Sequence, residues 1–481
     1  MTSKITVLFI ERIVEGNLMK TIKTKLLAVL MAVTMVFAMA PLTAGLAFAD
    51  DENVDATEVE MTAQDADDVE ATEPEAVDET AEKASPGVES VGGVTKYNVW
   101  VKGKQVTSKY KSGKGWKYSQ KDGVGTLTLT KASFSGSYGR AAIYAENIDL
   151  IIKLSGKNTI INKSKNSGDS AIKVTPPNFG GENSTHGKLT IKGSGSLNVK
   201  GTRSAIDAGK LDIQNVTIKA EATNADTSSG CTINCNSSFE DDDIAIKNAN
   251  ITSTCAIGYA IYGGGIVDIE DSVITAKTQD GPGIQAMYDM RISSSKVTTE
   301  TGAYGIMAIN GKVIVCNEGS KYPAYVETTS TGGSPVIMTP QGIDFDGLKI
   351  LEPEGGYVYG DYMYRILTAD GEQATHVIIS KYANTLDVKG KTTTVSYKKL
   401  KKKTQTVEPA KVYTITDPGQ GDLTFKKSSG NKKIKIGEDG TITVKKGLKK
   451  GKFKVKVKVR AAGDDDYNFV TKTVTVTIKV K

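Results

Sequence analysis

The chain has 481 residues, with 61 Lys and Arg against 55 Asp and Glu, for a net charge of +6. That length is enough for two domains, each with a core of its own. The near balance of charge hides two opposite parts: residues 381–481 hold 26 basic and 9 acidic residues, whereas the rest holds 35 and 46, so the total excludes neither a basic nor an acidic partner.

Taken from the start, residues 19–49 combine a Lys-rich opening, an apolar run and an Ala47-Phe48-Ala49 ending. This is the pattern of a secretory signal peptide with its small-residue cleavage motif, and it places the start at Met19. An exported chain argues against nucleic acid as the target of the basic tail. From Asp50 to Glu82 there are 15 acidic residues and no basic one, with no aromatic side chain. Such a stretch cannot bury enough surface to offset its ordering entropy, so residues 50–93 are expected to be a disordered acidic spacer.

From residue 94 to residue 380 one window recurs. "GKLDIQNVTI" (209–218) is echoed in "DDIAIKNANI", "GIVDIEDSVI", "YDMRISSSKV" and "GKVIVCN". Aligned on the second apolar residue, the copies give Ile213, Ile246, Ile269, Ile292 and Val315, the last three steps being 23 residues each. Looser copies fall at Leu129, Ile152, Ile191 and Phe345. A second echo runs through "AAIYA", "SAIKV", "SAIDAG", "YAIYGGG", "PGIQAM" and "YGIMAING". The apolar pairs alternate with period two, as in half-buried strands. A repeat of this size cannot close a core alone, and stacked repeats can. The spacing predicts a right-handed parallel β-helix of about nine coils rather than a propeller, whose blades are longer.

Within this scheme the carboxylates of "VDIED" fall on outward columns. Asp268 stands beside Arg291, Glu270 beside Lys247, and Asp271 joins Asn215, Asn248, Ser294 and Asn317 at a turn. Equivalent residues of adjacent coils lie about 4.8 Å apart, and each exposed ion pair contributes roughly 0.2–1 kcal/mol. The cluster therefore reads as architecture rather than as a site.

The phrases "AIYAENIDLIIKLSGKNTI" and "KLTIKGSGSLNVKG", with "YNVWVKGKQVT" before them, resemble the β-helical carbohydrate-binding family of secreted proteins from Gram-positive anaerobes. That resemblance implies a fold similar to pectate lyases, binding of acidic or cellulosic polysaccharide, and use of calcium. It supplies no compact site motif to carry across residue by residue.

Residues 381–481 alternate apolar and polar side chains in "KFKVKVKVR" and "KTVTVTIKVK", with "EDG" and "KKG" as turns. They are expected to form antiparallel strands of an immunoglobulin-like sandwich. The segment also resembles a small β-sandwich module at the C-termini of bacterial surface proteins. Its lysines either protect strand edges or attach the chain to anionic cell-wall polymer. No Leu-Pro-x-Thr-Gly motif and no C-terminal membrane span follow.

Hydrolysis would need two convergent carboxylates, for which Asp241, Asp242, Asp243, Asp280 and Asp289 are candidates. A lyase would need calcium ligands and a base such as Arg291. Neither set is paired convincingly in sequence, and the two His residues, His186 and His376, lie far from the carboxylates. The expectation is therefore a surface-associated polysaccharide binder without catalysis. A calcium-dependent lyase and a structural stalk or adhesin are the alternatives. "SSFEDDD" supplies the oxygen ligands that calcium prefers, with Asp241, Asp242 and Asp243 as the metal candidates and a solvated acidic turn as the other reading. Cys231 and Cys235 would stand roughly 13 Å apart in an extended strand, too far to join. Cys235 with Cys255 is geometrically conceivable, Cys316 has no Cys beside it, and no bridge is predicted. The carbohydrate-binding candidates are tyrosines in the second echo: Tyr259 and Tyr304 in one column, Tyr144 and Tyr262 in another. Their flat faces suit sugar rings if they point outward. An inward arrangement would make them core.

Overall fold

The computed structural model describes residues 88–164, 169–175, 187–223, 230–235, 242–318 and 321–481. The expected leader and most of the acidic spacer lie outside the described residues, as do His186 and Asp241. The described residues belong to one compact unit, residues 83–481.

The unit is all-β. Residues up to Ser380 form three long sheets, which the chain visits in rotation. Sheet I holds the second echo, sheet II the first, and sheet III the strand that follows each first-echo strand. One repeat runs Lys210–Gln214 in sheet II, Thr217–Ala222 in sheet III and Cys231–Cys235 in sheet I. Neighbouring strands within each sheet come from successive repeats and are parallel, which is the pairing a solenoid generates. The pairing turns antiparallel where Val94–Val101 joins sheet I and His376–Ser380 joins sheet III.

In sheet II the register links Ile152, Ile191, Ile213, Ile246, Ile269, Ile292, Val315 and Phe345, as the 23-residue spacing predicts. One alignment is corrected. Leu127, not Leu129, stands beside Ile152, and Leu129 pairs with Leu154. The shift is two residues, so period-two alternation keeps both leucines on the buried face. Cys231–Cys235, which belongs to neither echo as aligned from the sequence, is a full strand of sheet I.

Apolar residues from all three sheets share one core, from Val99 to Ile379. Its walls approach closely. A Cβ on Gly305 in sheet I would fall 1.7 Å from Thr328 Oγ1 and 2.6 Å from Thr299 Oγ1, both on sheet III. Likewise a Cβ on Gly263 would meet Val267 Cγ2 of sheet II at 2.6 Å.

The turn between sheets II and III is built by the polar column read from the sequence. Asn215, Asn248, Asp271 and Ser294 adopt left-handed φ of 56°, 52°, 49° and 43°. Asn and Asp tolerate this region best. Their N–H groups still donate along the stack, Asn248 to Glu270 at 3.0 Å and Asp271 to Ser293 at 3.1 Å. Asp271 Oδ1 also accepts from the Lys321 N–H at 2.9 Å. This is why a carboxylate stands there.

Residues 387–480 carry a separate apolar core. Val455, Val457, Val459 and Ala461 face inward from Gly451–Ala461, and Val474, Val476, Ile478 and Val480 from Val470–Val480. These two strands are antiparallel, as expected. One pair departs from that expectation: Thr392–Val395 runs parallel to the last strand. Among the described residues, no helix is long and apolar enough to cross a membrane.

Candidate functional site

Sheet I has an inner ladder of Ile143, Ile172, Ile206, Ile233, Ile261, Ile284, Ile306 and Ile337, all buried. The residue after each Ile projects to the other face. Register then gives one unbroken outer column: Trp100, Tyr144, Lys173, Asp207, Asn234, Tyr262, Gln285, Met307 and Met338. The sequence alignment already contained this column, one place after the aligned Ile, but only its tyrosines were singled out.

The column opens on an aromatic pair. The Trp100 and Tyr144 rings lie 5.3 Å apart, and the Arg140 guanidinium sits 5.3 Å over Tyr144. Arg140 also donates to the Tyr144 hydroxyl at 3.2 Å. Tyr144 is therefore on the outer face yet only 6% exposed.

The middle is polar and ordered. Lys173 Nζ lies 3.1 Å from Asp207 Oδ2, and Asn234 Nδ2 donates to Asp207 Oδ1 at 2.9 Å. The Ser170 hydroxyl reaches the same carboxylate at 3.5 Å. Asp207 is 9% exposed, so these partners supply what water would otherwise give. Close by in sequence, Asp169 Oδ2 and Ser204 Oγ are buried without a hydrogen-bond partner among the described groups.

Beyond Asn234 stands a second aromatic pair. Tyr259 and Tyr262 rings are 5.2 Å apart, and both are partly exposed. Burial, then the Cys231 thiol, pushes the Tyr259 hydroxyl above its ordinary value, while a hydrogen bond with Gln285 works against that. Ala260 N–H to Pro282 O at 3.3 Å and Gly283 N–H to Tyr304 O at 2.9 Å place Tyr304 two repeats on from Tyr259. The structure thus brings Tyr259 and Tyr262 together. Tyr144 lies four register steps from Tyr262 along the same column.

The other sequence candidates do not converge. Asp289 Oδ1 accepts from the Lys312 N–H at 2.8 Å, a turn contact. Arg291 is the register partner of Asp268, and its guanidinium also comes within 4.0 Å of Glu318. Glu270 binds Lys247 Nζ at 2.6 Å. Among the described residues no group of three or more His, Cys, Asp or Glu could hold a metal. Asp241 lies outside that statement, as do the side chains of Asp242 and Asp243 in the strand Asp242–Lys247. The four cysteines are buried and unbridged, and burial pushes the Cys231 thiol up to about 12, so it does not act as a thiolate near neutral pH.

No protein-family model matches this chain, and no curated protein sequence matches it.

Proposed function

We propose that the three sheets close into a right-handed parallel β-helix and that its sheet I face binds an extended polysaccharide without cleaving it. The observation that carries this reading is the continuous outer column from Trp100 to Met338. It sets aromatic rings at Trp100, Tyr144 and Tyr262 on either side of a run of hydrogen-bonding groups, Lys173, Asp207 and Asn234, each one strand spacing, about 4.8 Å, from the next. A regular polymer is the ligand to which a regular column can offer the same contact many times. Aromatic faces suit the apolar face of a sugar ring, while Lys173, Asp207, Asn234 and Gln285 suit its hydroxyls.

In this reading the chain is secreted and retained at the cell surface. Its basic C-terminal segment is an immunoglobulin-like sandwich that attaches to anionic wall polymer. The resemblance to β-helical carbohydrate-binding proteins favours acidic or cellulosic glycans. If calcium takes part, Asp241, Asp242 and Asp243 are the residues that would hold it.

The test is affinity electrophoresis and calorimetry of the full chain against pectic and cellulosic polymers, with and without a chelator. Tyr262→Ala should weaken binding by about fivefold, the equivalent of ~1 kcal/mol for one lost aromatic contact. Asp207→Asn should weaken it too, by disordering Lys173 and Asn234. Reducing ends or unsaturated products appearing during incubation would overturn the binding reading in favour of an enzyme. Binding that survives both substitutions would place the glycan elsewhere.

A further inference from the structure

Past Met338 the chain forms a hairpin, Tyr357–Gly360 paired with Tyr364–Leu367. The hairpin joins the end of sheet I. Thr339 and Tyr364 exchange two backbone hydrogen bonds, at 3.2 and 2.7 Å, in an antiparallel bridge. That register sets Arg365 opposite Met338, and Arg365 pairs with Tyr359. The outer column of sheet I therefore continues Met338, Arg365, Tyr359. On the other side of the hairpin, Ile366 is buried in the main core and Val358 packs against it.

The outer side of this hairpin carries large exposed aromatic surface. Tyr357, Tyr359 and Tyr362 are 42%, 39% and 82% exposed, whereas Tyr144 at the opposite end is nearly covered. The Arg365 guanidinium lies 5.0 Å over the Tyr359 ring, 3.4 Å from Asp361 Oδ1 and 3.4 Å from the Met363 carbonyl. Asp361 is itself fixed, because Tyr362 and Met363 N–H groups donate to it at 2.7 and 3.3 Å. The hairpin thus repeats the pattern at the start of the column, where Arg140 lies over Tyr144.

We propose that these two arginine–aromatic platforms, Arg140 with Trp100 and Arg365 with Tyr359, grip one extended acidic glycan near its two ends, so that binding strengthens abruptly at the chain length that reaches both. The inference rests on the polysaccharide reading of sheet I. Its occupant follows from continuity with that column and from chemistry: the first platform offers the partly exposed Trp100 ring with Arg140, which also lies 3.8 Å from Glu146, and the second offers Tyr359 with Arg365, in each case the pair that stacks on a sugar and meets a carboxylate. Nine strand steps separate Tyr144 from Tyr359. At about 4.8 Å each they span ~43 Å, which short oligosaccharides cannot bridge. Once a chain engages one platform, the other binds it at high effective concentration.

The experiment uses the full chain with a length-graded series of oligogalacturonides and measures affinity for each. The expected result is weak binding of short oligomers, then a gain on the order of 100-fold when the chain reaches both platforms. Tyr357→Ala/Tyr359→Ala should abolish that gain, so that long chains bind no more tightly than short ones, and leave thermal stability unchanged, since both rings are exposed. Affinity that rises smoothly with length, with the hairpin variant equal to wild type and Tyr262→Ala weakened, would overturn the two-platform proposal and leave the column reading standing. Long-chain binding lost in the hairpin variant yet indifferent to Tyr262→Ala would make the hairpin a lone site and overturn both. Binding of none of the oligomers, nor of the parent polymer, would also overturn both.

Discussion

The three-sheet body and the C-terminal segment use the same alternation of apolar and polar side chains, and they handle charge in opposite ways. In the body, parallel stacking makes equivalent residues neighbours, so a repeated lysine would meet itself. At three register steps the sign alternates instead, Lys200 pairing with Glu221, Lys247 with Glu270 and Lys277 with Glu300, whereas Lys153 and Lys192, and Lys188 and Lys210, stand side by side. In the tail, antiparallel pairing sets Lys454, Lys456 and Lys458 opposite Thr477, Thr475 and Thr473. No carboxylate stands across from them, and their charge remains available to the surroundings. Parallel repetition thus sets equivalent charges side by side, where alternation of sign relieves the repulsion at some steps, while antiparallel pairing allows one strand to be uniformly cationic.

The sharpest way to break the first half of that contrast is to exchange the two faces of one strand. Ile269 is fully buried and Asp268 is its outward neighbour. Ile269→Asp should cost more than about 4 kcal/mol, because it buries an unpaired carboxylate in the shared core. Asp268→Lys should cost less than about 1 kcal/mol. Comparable losses of melting temperature from the two changes would refute the assignment of inner and outer columns.

The second half concerns the tail's field. The full chain should adsorb to anionic wall polymer and elute at roughly 0.1–0.5 M salt, where surface charges are screened. Changing Lys452, Lys454, Lys456 and Lys458 to Glu should remove retention without unfolding the chain, since all four are exposed. Retention that ignores salt, or that survives the four substitutions, would leave these lysines with edge protection alone.

The alternation that supports these predictions was legible in the sequence, and so were the turn ladder and the Lys247–Glu270 pair, because a fixed step puts equivalent residues in contact. What escaped was whatever broke the step. Cys231–Cys235 was hidden between two insertions, and its "CTINC" lacks the small residue that precedes Ile in the other copies of the second echo. Leu129 was aligned by a 23-residue spacing that the first turn does not keep. The hairpin tyrosines lie outside any repeat, and they join the column only through a bridge between Thr339 and Tyr364 that sequence spacing does not encode. Of the candidate face, the tyrosines were visible. The Lys173–Asp207–Asn234 network was not, because its members are polar residues of different kinds that become one group only through register.

A smaller effect tests the neutral pairs directly. Lys277→Glu places two glutamates side by side on exposed strands, since residue 277 pairs with Glu300. The cost should be under about 1 kcal/mol and should shrink in high salt. Adding Glu300→Lys should recover most of it, as a double-mutant cycle would report. A double variant no better than the single one would show that these pairs do not couple.

The smallest effect is confined to the tail, where residues 381–481 hold 9 acidic residues against 26 basic ones. Asp387 Oδ1 lies 2.8 Å from Lys472 Nζ. The Lys472 ammonium first, and the Thr416 hydroxyl second, hold the Asp387 carboxyl down to about 2. An unfolded aspartate titrates near ~3.9. The folded value is the lower one, so the native state favours the ionised form. The contribution to stability is therefore fully present above about pH 4 and is lost as pH falls from there through about 2. The group is solvent-exposed and screened, so the loss should be a shallow slope rather than a transition. A carbon-detected titration of Asp387 should give a midpoint near 2 in the native chain and a value closer to that of a free aspartate in Lys472→Met. Midpoints that coincide in the two proteins would show that Lys472 does not hold the carboxylate, and the tail's few acids would then be spectators of its cationic surface.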